Sequence, residues 1–239
     1  MPDTFPCNDP TLLNDWHVIA DQAALRQEAE FRTRLLGVPL TLTASGLRRD
    51  DSGAAVATQT GYGFVWACLG TPRAGLPQIA EAADEDRYVV TGGSIGVRVS
   101  GLRAVENFLD MGHFPFVHTG WLGEQPHTEV RPYTVEVTPE NEIVATECQF
   151  YQPVASPTAT SGFVVDYIYK VLRPYTVALY KSAGADSRRL DSITLFVQPL
   201  DEDNCIAHPL LCYLKEGNTA AGVRSFMQLI FAQDKPILE

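Results

Sequence analysis

The chain has 239 residues, of which 45% are hydrophobic and 20% charged, a balance that is ordinary for a folded globular protein and argues against a disordered chain. Its formal net charge is −11, and because phosphate backbones repel acidic surfaces, nucleic acid is a poor partner. No apolar run reaches the roughly 18 residues of a membrane helix, and the N-terminus lacks the pattern of a secretory signal. Five scattered cysteines favour reduced thiols, so we expect a cytoplasmic protein without a membrane anchor.

The first part of the chain predicts a small β-rich unit over residues 11–70. Its opening segment NDWHVIA (14–20) reads as a strand, and RTRLLGVPLTLTAS (32–45) alternates apolar and polar residues as half-buried strands do. GYGFVWACLGTP (61–72) predicts a buried strand closed by a Gly-Thr-Pro turn. Residues 71–86 predict a loop with a short helix.

From residue 87 onward the pattern predicts a strand, a helix, a sheet and a last helix. The segment 87–101 reads as a strand whose glycines indicate bulges. Residues 102–114 repeat apolar side chains at helical spacing until Gly112 and Pro115 weaken and end the helix, and residues 219–236 predict an amphipathic helix. Six alternating runs between these helices predict an antiparallel sheet and an α+β fold. The runs are TEVRPYTVEV (128–137), EIVATECQFY (142–151), GFVVDYIYKVL (162–172), YTVALYKS (175–182), DSITLFVQPL (191–200) and CIAHPLLCYL (205–214).

Two histidines are the first candidates for chemistry. His113 and His118 lie five positions apart, which is not the spacing of two ligands on one face of a regular helix. Pro115 breaks the helix between them, so His118 can turn back toward His113. Asp110 precedes His113 by one helical turn, so its carboxylate can accept the second ring N–H and raise the basicity of the ligand nitrogen.

A third, anionic ligand would complete the two-histidine, one-carboxylate face that non-haem Fe(II) oxygenases use. Asp234, near the end of the last helix, is the candidate, and Met227, Ile230 and Phe231 lie on the same helix face as an apolar wall for a substrate. Spacing alone leaves a plainer interpretation open. Two histidines near an aspartate also form hydrogen-bonded core clusters, and an acid before Lys-Pro often only ends a helix.

Two segments carry a family resemblance. NFLDMGHFPFVH (107–118) resembles the mononuclear-iron motif of Rieske non-haem iron ring-hydroxylating oxygenases, and FAQDKPILE (231–239) resembles the segment that supplies their carboxylate ligand. The strands predicted at 14–20 and 61–72 resemble those that open and close the Rieske domain of that family. The four landmarks follow one another in the order of the family and span nearly the whole chain.

The resemblance implies a role for each residue of the motif. His113, His118 and Asp234 would bind a mononuclear Fe(II). Asn107 would lie near the iron without binding it. Asp110 matches the aspartate that connects the iron site to a Rieske histidine of a neighbouring subunit, and its retention favours an active protein. The family forms trimers, so we expect this chain to form an oligomer.

The chain departs from the family where the Rieske cluster would be bound. A Rieske [2Fe–2S] cluster needs two Cys–His pairs, and the family carries both between the two N-terminal strands. Between His17 and Trp66 this chain has neither a cysteine nor a further histidine, so we expect no [2Fe–2S] cluster in it. Cys205 and His208 form one Cys-x-x-His, but residues three apart in a strand point to opposite faces, which predicts a structural role.

Longer segments resemble the cluster-lacking N7-demethylase subunits of bacterial caffeine degradation, a branch of the same family. They include SGLRAVENFLDMGHFPFVHTGWLG (100–123), ATECQF (145–150) and FVQPLDEDNCIAH (196–208). The resemblance implies oxidative N-demethylation of a methylxanthine-like heterocycle, from 7-methylxanthine to xanthine plus formaldehyde. It also implies a reductase partner that carries an extra Rieske domain and supplies the electrons, with a further structural subunit in the complex.

Two alternatives stay open from the sequence. The chain could hydroxylate or O-demethylate another small aromatic ring, or it could be a non-catalytic structural subunit of an oxygenase complex. The iron site is the same in every oxygenation, so the pocket lining would decide the substrate. The candidates for that lining from the sheet are Phe150 and Tyr167, beside the apolar residues of the last helix.

The predicted organisation has two parts. Residues 1–86 would form a truncated, cluster-free, Rieske-like β unit, and residues 87–239 a helix-grip (START-like) catalytic domain with a curved antiparallel sheet. Members of the family usually continue beyond the ligand helix, so we expect a tail to be missing after Glu239.

Overall fold

The computed structural model describes residues 7–25, 29–154, 161–182 and 189–239. Within these residues the chain folds as α+β, with one large antiparallel sheet, two three-stranded sheets and a long C-terminal helix. No helix in the described part is long and apolar enough to cross a bilayer. The helices are α1 (Pro10–Leu13), α2 (Gln22–Leu25), α3 (Gly101–Leu109), α4 (Phe114–Val117) and α5 (Ala220–Leu238), with a 3-10 turn at Ala80–Ala83.

The strands of the N-terminal part form the two small sheets. One has the order β1-β6-β5 and the other β2-β3-β4, and all pairs are antiparallel. The strands predicted at 14–20 and 61–72 are adjacent, since β1 pairs with β6. These strands are β1 (His17–Asp21), β2 (Glu30–Leu35), β3 (Val38–Thr43), β4 (Gly46–Arg49), β5 (Ala57–Gly61) and β6 (Phe64–Cys68).

The large sheet follows in the second part of the chain. Its strand order is β7-β14-β13-β12-β11-β10-β9, and β8 also pairs with β14. All pairs are antiparallel, which confirms the sheet predicted from the six alternating runs. Its strands are β7 (Arg87–Thr91), β8 (Ile95–Val97), β9 (Thr134–Val137), β10 (Ile143–Gln152), β11 (Phe163–Arg173), β12 (Thr176–Ser182), β13 (Leu190–Pro199) and β14 (Cys205–Leu214).

In the second part of the chain, two of the strand predictions differ from the structure by more than one residue at an end. The run at 128–137 pairs only over Thr134–Val137, because Pro132 has no N–H to donate to a neighbouring strand. The segment 87–101 divides into β7 and β8 at Gly92 and Gly93. A side chain at Gly92 would meet the ring of Pro209 at 2.9 Å, and Gly93 has a φ of +95°, so both positions require glycine.

The central strands of the large sheet are covered on both faces. In β13, Phe196 points toward the small sheets and packs edge-on against Trp66 of β6, with ring centroids 4.7 Å apart. Leu195 points the other way and packs with Val105 of α3 and Phe231 of α5. This double burial explains why β13 and β14 are buried almost throughout, whereas the half-buried β2 alternates. The ten residues of β14 are mostly apolar, but β13 also buries Asp191, Ser192, Thr194 and Gln198.

Cys205 and His208 lie on opposite faces of β14, as predicted. Cys205 packs in the apolar cluster beneath α3, whereas the His208 ring lies against Phe64. His208 is held by Ser94 Oγ at 2.9 Å from Nδ1 and by Gln198 Oε1 at 3.1 Å from Nε2. Both ring nitrogens are therefore engaged in a buried network that holds a neutral imidazole.

The buried His208 predicts a loss of stability in acid. Burial lowers its pKa to about 3, so below pH 6.5 the unfolded chain takes up a proton there that the folded chain cannot. The neutral His208 contributes fully to the free energy of unfolding above the pKa that the histidine has in the unfolded chain. This contribution decreases as the pH is lowered and is about 2 kcal/mol smaller at pH 5 than at pH 8. Urea unfolding of wild type and His208→Gln at both pH values tests this. The variant should lose less stability between them, and equal losses would contradict the prediction.

Candidate metal centre

Asp110 ends helix α3 and organises the turn that follows. Helix α3 stops at Leu109, and Asp110 has an extended backbone with φ −85° and ψ 129°. Its carboxylate accepts hydrogen bonds from the backbone N–H of Gly112 at 2.8 Å and of His113 at 3.1 Å. Such local bonds compete with the helix. The prediction that one helix carries Asp110 and His113 is therefore wrong, although the predicted side-chain contact is present, with Asp110 Oδ2 2.9 Å from His113 Nδ1.

The two histidines flank a single helical turn. His113 is the N-cap of α4 and His118 is its C-cap. Pro115 lies in the first turn of α4, where its missing N–H has no intrahelical acceptor to lose. Pro115 thus begins a new turn rather than only ending the previous helix, and this turn brings the two rings to a centroid distance of 5.0 Å.

The third residue comes from α5. Asp234 is buried on the face of the helix that packs on the sheet. Its Oδ1 lies 3.3 Å from His113 Nε2 and 3.0 Å from His118 Nε2, and the two Nε2 atoms are 3.1 Å apart. Among the residues that the structure describes, this is the one group of three His, Cys, Asp or Glu side chains whose ligand atoms lie within 4.8 Å of one another.

The hydrogen bonds around the trio determine which atoms carry protons. His113 Nδ1 faces the carboxylate of Asp110, and His118 Nδ1 lies 2.8 Å from Gln233 Oε1. Because both partners accept, each Nδ1 donates, and a neutral ring then presents a lone pair at Nε2. Two imidazole lone pairs and a carboxylate oxygen therefore point at one spot.

This arrangement fits a metal ion. Asp234 Oδ1 is buried and accepts no hydrogen bond despite its two close neighbours, and a buried acceptor without a partner is costly. Three ligand atoms at right angles around an ion, each about 2.1 Å from it, would lie about 3.0 Å apart. The observed separations of 3.0 to 3.3 Å match that expectation. A two-histidine, one-carboxylate face that leaves positions open is the donor set of non-haem iron.

The surroundings of the trio shift the pKa values of His113 and Asp234 in opposite directions. Burial disfavours the charged form of His113, but the carboxylates of Asp234 and Asp110 outweigh burial and raise its pKa. Burial likewise disfavours ionised Asp234, but the two histidines outweigh it and lower its pKa. A cation bound at this spot would satisfy the same carboxylate without protonating an imidazole.

A mainly apolar cavity adjoins the trio, and the space in it that is open to the centre of a water-sized sphere is about 80 Å³. Of the predicted lining residues, Met227, Ile230, Phe231 and Tyr167 reach the cavity, and Asn107 does so near the ligands. Phe150 does not; it packs behind the wall against Phe114, with ring centroids 5.5 Å apart.

Gln233 is a residue of this site that sequence reasoning missed. Its position directly before Asp234 was the available signal, but its partner His118 lies 115 residues away. Only the packing of α5 against α4 brings the two together. Asp110 and Gln233 therefore have the same task, each orienting one histidine through its Nδ1.

The lack of space around Gly123 predicts that the site is sensitive to a shift of the backbone between its two histidines. A Cβ there would come within 2.6 Å of Pro115 N and 2.8 Å of the Phe114 carbonyl carbon, the backbone that joins the two histidines. Gly123→Ala should cost about 1–3 kcal/mol of stability and weaken metal binding, as thermal unfolding and metal analysis would show. Gly75→Ala, where nothing lies within 4 Å, is the control. Unchanged metal content in Gly123→Ala would contradict this.

Comparisons with known proteins assign the family. The model for the vanillate O-demethylase oxygenase C-terminal domain matches residues 97–239, which contain the whole trio. The chain belongs to the Rieske oxygenase catalytic-domain family.

Two curated relatives of the chain are named as methylxanthine N-demethylases, one of them as a probable one. The chain is 41% identical over 234 residues to the probable methylxanthine N7-demethylase NdmC of Pseudomonas sp. strain TJI-51, covering 95% of this chain and 82% of the relative. It is 27% identical over 169 residues to the methylxanthine N3-demethylase NdmB of Pseudomonas putida, covering 69% of this chain and 45% of that protein. The chain is thus a homologue of Rieske-type N-demethylases.

Solved structures agree on the fold. Pseudomonas putida CBB5 NdmA with caffeine superposes with a TM-score of 0.75 at 15% identity, over 95% of this chain and 82% of that one. Dicamba monooxygenase bound to 3,6-dichlorosalicylic acid superposes with a TM-score of 0.74 at 15% identity, over 99% and 87%. At this identity the similarity extends to the fold and not to the substrate.

Proposed function

We propose that the chain is the catalytic subunit of a non-haem Fe(II) oxygenase that removes the N7-methyl group of a methylxanthine-like heterocycle. The proposed reaction converts 7-methylxanthine to xanthine and formaldehyde. The observation that carries the proposal is the convergence of His113, His118 and Asp234 on an apolar cavity. The 41% identical relative, named as a probable methylxanthine N7-demethylase, supports the substrate class.

Iron bound by the trio would supply the activation of dioxygen. The surrounding residues would position the substrate and exclude water. His118 is 1% exposed and Asp234 11% exposed at the side chain, so the ligands face a cavity largely shielded from bulk water. Met227, Ile230 and Phe231 form the wall beside Asp234, where a flat ring can pack. Asn107 lines the cavity near the ligands, and we assign it contact with substrate or dioxygen rather than with iron.

Asp110 supports the proposal that electrons come from another protein. One side of its carboxylate holds His113, and its side chain is 51% exposed. It lines a surface groove with Arg103, Glu106 and Ile237. A Rieske domain of a reductase would dock over this groove and approach the iron through Asp110 and His113. A further structural subunit would complete the assembly.

The N-terminal part supports the same division of labour. We propose that residues 1–86 are a Rieske-like unit without its cluster and that residues 87–239 form the helix-grip catalytic domain. The two three-stranded antiparallel sheets of this part, β1-β6-β5 and β2-β3-β4, support this proposal.

The proposal is tested by turnover with a supplied donor. Iron-loaded protein, dioxygen and a reductase that carries a Rieske domain should release formaldehyde from 7-methylxanthine in equal amounts with xanthine. The same mixture without the reductase is the control. Absence of formaldehyde across a panel of 1-, 3- and 7-methylxanthines, with iron bound, would overturn the substrate class.

A second function is favoured by the matched family model, whose description is a vanillate O-demethylase. Removal of an O-methyl group would use the same iron site and also release formaldehyde. Including vanillate in the panel separates the two. A preference for vanillate over the methylxanthines would replace N-demethylation with O-demethylation.

A further inference from the structure

The large sheet brings three polar side chains to the wall of the cavity, Tyr167, Lys181 and Tyr213. Tyr167 belongs to β11 and is 3% exposed. Its hydroxyl oxygen accepts a hydrogen bond from Nε2 of Gln152, a fully buried residue at the end of β10. The hydroxyl of Tyr167 is thus held in place by a second buried side chain, and the metal centre uses neither residue of this pair.

The bond from Gln152 determines where the hydroxyl proton of Tyr167 can point. A phenol has one O–H donor, and its oxygen can also accept. Because the amide N–H already approaches the oxygen, the O–H must point away from Gln152, and among the described residues Gln152 is the one hydrogen-bond partner of Tyr167. Burial raises the pKa of Tyr167, so the hydroxyl keeps its proton at neutral pH and acts toward the cavity as a donor.

A structural role alone is a poor account of the pair. Gln152 Oε1 is buried and accepts no hydrogen bond from the described part of the chain, which is costly. Replacing both partners of a buried hydrogen bond by apolar groups of the same shape is often nearly neutral, and Tyr167 already packs in a large apolar cluster. The pair is therefore better explained by a ligand that uses the oriented hydroxyl.

A single aromatic ring lies between Tyr167 and the metal centre. The centroid of Phe114 is 5.9 Å from that of His118 and 6.2 Å from that of Tyr167, and Phe114 also lines the cavity. The metal ligands and the oriented hydroxyl thus flank one apolar ring. A flat heterocycle that packs along Phe114 can turn one edge to the trio and another edge to Tyr167.

We propose that Tyr167 determines specificity by donating a hydrogen bond to a ring carbonyl oxygen of the heterocycle, and that Gln152 is the positioning residue that directs this hydroxyl. The inference rests on the proposed function and deepens it. A carbonyl oxygen only accepts, so it matches an O–H donor. A site built to hydrogen-bond a polar group of its ligand rejects an analogue that lacks this group, because the buried donor is then left unpaired.

Ligand binding without turnover tests the inference. Iron-loaded protein is titrated anaerobically, without reductase, with 7-methylxanthine and with 7-methylpurine, which lacks both carbonyl groups. Tyr167→Phe should raise the Kd of 7-methylxanthine by about 5- to 50-fold, whereas the Kd of 7-methylpurine should change little. Gln152→Met should reduce the preference in the same direction, because the hydroxyl loses the group that directs it.

Tyr169 provides the matched control. It lies two positions further along β11, on the same face of the sheet, and its ring stacks on that of Tyr167 with centroids 5.5 Å apart. Its side chain lines a separate groove with Leu109 and Met111. Tyr169→Phe removes one buried hydroxyl from the same strand, and it should keep the wild-type ratio of the two Kd values.

A double variant guards against a loss of folding. Tyr167→Phe leaves the Gln152 amide without its acceptor, so Tyr167→Phe combined with Gln152→Met removes both polar groups and should show the same loss of preference. A wild-type ratio in the folded Tyr167 variants, equal weakening of both ligands, or loss of the preference in Tyr213→Phe alone would overturn the role of Tyr167 and leave the proposed function intact. If wild type binds neither ligand, the methylxanthine assignment fails and this inference fails with it.

Discussion

Replacing His118 with alanine is expected to abolish iron binding and all formaldehyde release. His118 is the most buried of the three ligands at 1% exposure, so no solvent molecule can readily take its place from the surface. Its removal also leaves Gln233 Oε1 without the N–H that it accepts. Iron content after anaerobic reconstitution should fall from stoichiometric to background, and the N-demethylation rate should become undetectable.

The matched control for this variant is another histidine. His127 is exposed and its ring lies tilted against that of Tyr151, with ring centroids 4.4 Å apart, outside the trio. His127→Ala should bind iron as wild type does. A folded His118→Ala protein that keeps stoichiometric iron and turnover would show that the trio is a hydrogen-bonded cluster and not a metal site.

Replacing Asp110 with asparagine is expected to separate iron binding from electron supply. The three ligand atoms stay in place, so iron should remain bound. The amide keeps one acceptor but loses the negative charge that polarises His113 and that faces the groove. Turnover driven by the reductase should fall by about 10- to 100-fold, the usual effect of removing such a partner of a metal ligand.

Glu106 provides the control for Asp110. It lies in the same groove, is 64% exposed and pairs with Arg103 at 2.5 Å, without contact to a histidine. Glu106→Gln should alter the salt dependence of turnover by weakening docking, with little effect at saturating reductase. If Asp110→Asn at saturating reductase turns over as fast as Glu106→Gln, Asp110 has no part in electron supply.

The short-range parts of the site were predictable because their contacts are local. Asp110 and His113 are three residues apart, and their predicted contact exists. The helix that was predicted to carry both residues ends before Asp110, however. Helical spacing would place these side chains one above the other, but the Asp110 carboxylate binds the backbone of the turn and ends α3 at Leu109. Propensity and spacing do not reveal which of two local hydrogen-bond patterns prevails.

The strand predictions succeeded for a similar reason. A half-buried strand must alternate, so β2 is visible as a pattern in the sequence, and the fully buried β6 is visible as an apolar run. Pairing order is less visible. That β14 lies between β7 and β13 depends on which apolar faces meet, and many orders satisfy the same alternation.

At the candidate metal centre, the information in the sequence and the information in the tertiary structure can be separated most clearly. The sequence by itself determined which side chains are available as donors, two imidazoles and a carboxylate, because only a few side-chain types can bind a metal ion, and it determined that no Cys–His pair lies between the N-terminal strands. Only the tertiary structure decided which side chains orient and surround them. Gln233 reaches His118 across 115 residues, Lys181 reaches Phe226 of α5 from the sheet, and Phe150 lies behind the wall it was predicted to form. Such contacts depend on strand register and helix docking, which are set by the packing of the whole core.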